Sequence, residues 1–110
     1  MAKLGQLFLD SGTWNGQRII SKRWVKDATT AFTGNEVRAE GYGYHWWTAR
    51  YYVSAKQFKV FYARGSGGQY IFVVPDLNSV VVFTSGNYPP LNQTAPVNMF
   101  VNVIMPAMMQ

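Results

Sequence analysis

Apolar positions follow a helical period at both ends of this chain and a two-residue period in its middle. Leu4, Leu7 and Phe8 recur at helical spacing, which predicts a helix over 2–11 with one apolar face. It should stop near Ser11-Gly12, where glycine takes the left-handed conformation that closes a helix. Trp14-Asn15-Gly16-Gln17 has the composition of a tight turn. Ser21 suits the N-cap of a second helix over 22–31, with Trp24, Val25 and Ala28 facing inward and Thr33-Gly34-Asn35 ending it.

From residue 42 the pattern is that of β-structure. Tyr42 to Thr48 is aromatic-rich and alternates around small residues. Phe58, Val60 and Tyr62 alternate with Lys59, Phe61 and Ala63, giving a strand with two usable faces. Gly65-Ser66-Gly67-Gly68 breaks it, and Gln69 to Val74 forms the next strand. Pro75-Asp76-Leu77-Asn78 is a turn, with proline preset for it. Ser79 to Thr84 is a near-continuous β-branched run, the pattern of a strand buried on both faces. So short a link makes these two strands an antiparallel hairpin. Ser85 to Pro90 reads as a loop. A final helix begins after Asn92-Gln93-Thr94, where Val97, Phe100, Val101, Ile104, Met105 and Met108 form an amphipathic stripe. Pro106 should bend or end that helix. The expected fold is α+β: a single domain over 1–110 with an antiparallel sheet of about four strands, flanked by N-terminal and C-terminal helices.

Composition supports a packed domain. The 110 residues are 48% hydrophobic and 16% aromatic, enough for a core and too apolar for a disordered chain. So many large rings in so small a body imply that some lie on a surface meant for another chain or another domain. The net charge of +5 raises nucleic acid as a partner. The basic residues are scattered, however, and only Lys22, Arg23 and Lys26 cluster, on an exposed helix start. Without cysteine there is neither a disulfide framework nor a thiolate metal site. No apolar run approaches the roughly 20 residues of a membrane span. Residues 1–10 do not read as a signal peptide, because Gly5 and Gln6 interrupt a short apolar stretch.

Candidate chemistry is sparse. The single histidine, His45, has no carboxylate near it in sequence, so it reads as structural or surface-lining; no metal and no cofactor is expected. The acids Asp10, Asp27, Glu36, Glu40 and Asp76 form no evident acid–base couple. Gly65-Ser66-Gly67-Gly68 stands out. No Gly-Lys-Ser/Thr follows, so it is not a phosphate loop. Strands on both sides exclude a dinucleotide fingerprint. Arg64 stands where a nucleophile elbow around Ser66 needs glycine. Two readings remain: a flexible β-turn, or a strand edge whose bare backbone N–H groups face a ligand.

The run Gly41-Tyr42-Gly43-Tyr44-His45-Trp46-Trp47, the run from Phe61 through Arg64-Gly65-Ser66-Gly67-Gly68 to Pro75-Asp76, and Val80-Val81-Val82-Phe83-Thr84 together resemble the C-terminal end of the penicillin-recognising serine hydrolases. That family includes class C β-lactamases, D-Ala-D-Ala carboxypeptidases, family VIII esterases and nylon-oligomer amide hydrolases. Ala2 to Asp10 resembles a helix of the family, and Gly12-Thr13-Trp14-Asn15-Gly16 and Ile19-Ile20-Ser21 with Trp24-Val25 resemble the segment after that helix. The resemblance covers nearly the whole chain, in order. It implies an incomplete β-lactamase-like α/β domain and a bacterial protein of cytoplasm or periplasm. The family's third box, often Lys-Thr-Gly or His-x-Gly, matches Ala63-Arg64-Gly65. By resemblance, the Ser66 backbone N–H is then an oxyanion-hole donor, with Gly65, Gly67, Gly68 and Trp47 against the substrate. Ala63 in place of Lys or His favours the amidase or esterase branches over β-lactam carboxylate binding. Arg64 should point to the face opposite Ala63.

The family's nucleophile sits in a Ser-x-x-Lys box, with a Tyr-x-Asn box as its proton-transfer partner; this sequence contains neither. Acyl transfer needs an activated nucleophile, so the expected role is that of a hydrolase fragment, inactive alone, which partners the rest of such an enzyme. The alternatives are a non-catalytic module that self-associates and a basic nucleic-acid binder that stacks bases on its aromatics.

Overall fold

The computed structural model describes residues 1–30, 33–35, 40–53, 55–86 and 95–109. The chain opens with α1 (Ala2–Leu9), a short hairpin of β1 (Thr13–Trp14) and β2 (Gln17–Arg18), and α2 (Lys22–Ala28). Six strands come next: β3 (Thr33–Asn35), β4 (Glu40–Tyr42), β5 (Trp47–Val53), β6 (Lys56–Gly65), β7 (Gln69–Val74) and β8 (Ser79–Phe83). They form one antiparallel sheet in sequence order, each strand paired with the next. The α+β class expected from the pattern is the one observed, with helices at both ends of the chain. No described helix is long and apolar enough to cross a membrane.

Local chemistry sets the N-terminal elements. Ser11 (φ +57°) and Gly12 (φ +95°) end α1 in the left-handed region. Asn15 (φ +50°) and Gly16 (φ +78°) make the turn of the β1–β2 hairpin, where both central residues must have positive φ. The Ser21 Oγ accepts from the Trp24 N–H at 3.0 Å and so caps α2. The buried face of α1 is Gly5 and Phe8, with Leu4 exposed, rather than the expected Leu4–Leu7–Phe8 face. Glycine decides this: a Cβ on Gly5 would sit 2.6 Å from Val80 Cγ1, so only a bare backbone lets α1 lie this close to the sheet. In α2 the buried residues are Val25 and Ala28, while Trp24 is 47% exposed and stacks on Tyr44 at 5.2 Å. Val25 and Ala28 are three apart on one side, which turns Trp24 away. The helix also stops at Ala28, short of the expected end, and Thr33-Gly34-Asn35 is strand β3. The expected α2 residue Ala31, Asn87 to Pro90 of the expected loop, and the expected helix start at Asn92-Gln93-Thr94 lie outside the described residues.

The sheet separates two cores. One face carries Phe58, Val60, Tyr62, Tyr70, Phe72 and Val74 and packs on the C-terminal helix through Phe100 and Met105. Tyr70, Phe72 and Phe100 stack nearly parallel, with centroids 5.0 and 4.0 Å apart. The other face carries Phe61, Ile71 and Val73 and packs on Phe8, Val25, Ala28 and Trp46. The strand buried on both faces is β7, not β8. Val80 and Val82 do face one core and Val81 and Phe83 the other, but β8 is the last strand in the sheet order and stays half-buried.

The C-terminal helix runs from α3 (Ala95–Met99) through a π-helical turn (Phe100–Ile104) into α4 (Met105–Met108). The apolar stripe packs on the sheet as expected. Pro106 does not itself end the helix, which continues to Met108: it enters α4 in its first turn, where its missing N–H is tolerated. The i→i+5 turn has a second effect, because it aligns residues five apart. Phe100 and Met105 are both fully buried for that reason.

Candidate functional site

The glycine run closes the β6–β7 hairpin. β6 pairs with β7 out to Gly65↔Gln69, and residues 66–68 form the turn. Gly67 (φ +89°) and Gly68 (φ +87°) hold backbone conformations that side chains resist, which explains the residue type at both. The turn is anchored from the chain after β8. The Ser85 hydroxyl donates toward the carbonyls of Gly67 and Gly68 at 2.7 and 2.9 Å, and the Gln69 side-chain amide donates to the Ser85 carbonyl. Gly67 and Gly68 are buried; Gly65 and Ser66 are exposed. The run is therefore a braced turn with an open leading end rather than a flexible one.

β6 also outruns β5. The last β5–β6 pair at this end is Trp47↔Tyr62, so Ala63, Arg64 and Gly65 continue past the start of β5 while still paired to β7. On the β5 side this stretch has no strand partner among the described residues. The backbone leading into Ser66 is therefore a rigid strand with one unladdered edge. That geometry suits contact with an extended or carbonyl-bearing ligand.

The expected site residues divide between the two sides of this edge. Arg64 points to the face opposite Ala63: its guanidinium lies 4.6 Å from the centroid of the Trp47 ring, whereas Ala63 packs against the core on the other face, which holds Phe61 and Ile71. Tyr42 meets the same indole edge-on at 4.7 Å. Trp47 is half-buried and is linked to Gly65 and Ser66 through Arg64. His45 is exposed in the turn before β5, with φ +66°. Among the described residues no three of His, Asp, Glu or Cys gather as metal ligands. Every buried side-chain N or O atom has a hydrogen-bond partner among the described residues.

Sequence reasoning missed two features of this site. The brace from Ser85 lies 17 and 18 residues away from the carbonyls it holds, so no local motif signals it. The overhang of β6 depends on where β5 begins, which is a register between strands rather than a property of either. No protein-family model matches this chain, and no curated protein matches it.

Proposed function

We propose that this chain supplies the oxyanion-binding strand of a serine acyl hydrolase whose attacking serine lies outside these 110 residues. The observation that carries the reading is the overhang of β6, which leaves Ala63–Gly65 without a strand partner on one side among the described residues and Ser66 exposed at its end. The resemblance of residues 61–76 to the third-box strand of the penicillin-recognising hydrolases supports the same assignment. In that chemistry the serine gives its proton to a general base, which like the serine lies outside these residues, as its oxygen adds to an amide or ester carbonyl carbon and the C=O electron pair moves onto oxygen. The Ser66 N–H and the nucleophile's own N–H then donate to the oxyanion. The braced turn suits such a donor, because a preorganised N–H spends nothing on reorientation as charge develops. Ala63 brings no cation to the site and Arg64 lies over Trp47, which favours neutral amides or esters over substrates bound by a carboxylate.

Lacking an activated serine, the chain alone should neither turn over nitrocefin or p-nitrophenyl esters nor react with a fluorophosphonate. Stoichiometric labelling of this chain would reject the reading. A direct test follows backbone amide resonances while methylphosphonate, a tetrahedral oxyanion mimic, is added. Ser66 and Gly65 should shift first; shifts that spare both would also reject it.

A second reading is self-association without catalysis. Leu4, Ile19 and Trp24 are 47, 60 and 47% exposed, and apolar side chains in that state favour a partner surface. Light scattering separates the readings, since concentration-dependent dimerisation supports this one and a monomer at high concentration removes it.

A further inference from the structure

The face of the sheet opposite Arg64 and Trp47 carries a separate recess. α1, α2 and Pro75 stand around an open cleft of about 850 Å³, a size that suits small molecules. Phe8, Leu9, Val25 and Phe61 make it apolar. The side formed by α2 is cationic, with Lys22, Arg23 and Lys26 against the single acid Asp27. Arg23 and Asp27 approach to 3.7 Å as an exposed i,i+4 ion pair. Lys22 and Lys26 pair with no carboxylate among the described residues, yet they lie four apart on one helix and both line the cleft. Like charges at that spacing repel, and an anion between them would relieve the repulsion. The deeper polar group, Thr29, has its hydroxyl committed to the Val25 carbonyl at 2.8 Å. The interior of the cleft thus selects for apolar area, and its rim for negative charge.

We infer that this cleft binds a small amphipathic anion. The ligand is a carboxylate on an aryl or alkyl body, with the body against Phe8, Val25 and Phe61 and the carboxylate at Lys22 and Lys26. The inference is independent of the hydrolase reading, because none of Ala63, Arg64, Gly65 and Ser66 lines the cleft.

The test uses the full chain and 4-phenylbutyrate as probe, with binding followed by NMR. Resonances of Lys22, Val25, Lys26 and Phe61 should shift, and those of Gly65 and Ser66 should not. 4-Phenylbutanol, which keeps the body and drops the charge, should bind more weakly, as should inorganic phosphate, which keeps only charge. The double variant Lys22→Gln/Lys26→Gln should lose about tenfold in phenylbutyrate affinity, the factor expected of two partly exposed ion pairs. Its affinity for phenylbutanol should not change. Both lysines are exposed, so the variant should keep the amide spectrum of the parent away from the cleft. Equal binding of acid and alcohol, an unchanged affinity in the variant, or shifts that avoid the cleft would each overturn the inference.

Discussion

The two faces of the sheet are built from alternate residues of the same strands, yet they are finished differently. On one, a single helix with a π-helical turn presses Phe100 into a stack with Phe72 and Tyr70, and Met105 fills beside it. On the other, two short helices cover Ile71 and Val73 but leave Phe61 beside an open cleft. A long helix whose period matches the sheet can bury a continuous stripe. Short helices of eight and seven residues touch the sheet through a few side chains, and residues of both line the cleft. The first face holds most of the fully buried large side chains, and the second has room for a ligand.

The largest expected effect tests this contrast directly. Phe72→Ala should cost about 3–5 kcal/mol, since a fully buried ring leaves a cavity that tight neighbours cannot fill. Phe61→Ala should cost clearly less, because its cavity opens onto the cleft and water enters it. Urea unfolding midpoints compare the two, and equal losses would break the distinction. Next is Gly5→Ala, in which the added methyl meets Val80 and Ile71. Overpacking should outweigh the better helix propensity and leave a net loss of about 1–2 kcal/mol, read from the same curves. Ser21→Ala removes the cap of α2 and should cost about 1 kcal/mol. Hydrogen exchange should then speed up in α2 and not in the C-terminal helix. The smallest effect is Lys26→Gln, which should change stability by no more than a few tenths of a kcal/mol in the same curves, because relief of repulsion from Lys22 is offset by loss of a cation from the last turn of α2.

Much of this could be read from the residues, and the failures share a cause. Val97 to Met108 and Phe58 to Val74 carry clean periods, and their helix and strands match the structure because a period is local information. Val80-Val81-Val82 misled on burial: the run correctly signals a strand with apolar cover on both faces, but its place at the end of the sheet order is set by topology. Trp24 misled because hydrophobicity alone does not say which side of a short helix meets the sheet, and Val25 with Ala28 settled that. Tyr42 to Thr48 read as one β-rich stretch, whereas Gly43 to Trp46 turns the chain between β4 and β5. At the candidate site the glycine turn was evident from composition, but its brace and the unladdered edge arise from residues distant in sequence.

The π-helical turn gives the C-terminal helix one residue of slack. Removing either Asn102 or Val103, both exposed, would bring Phe100 and Met105 to four-residue spacing, at which an ordinary helical turn still aims both at the sheet. Proline would then fall inside an uninterrupted helix, where it costs about 3 kcal/mol. The shortened chain should therefore keep its fold only if Pro106 is replaced as well, which ties a length change to a distant-looking substitution: neither drifts freely in this segment without the other.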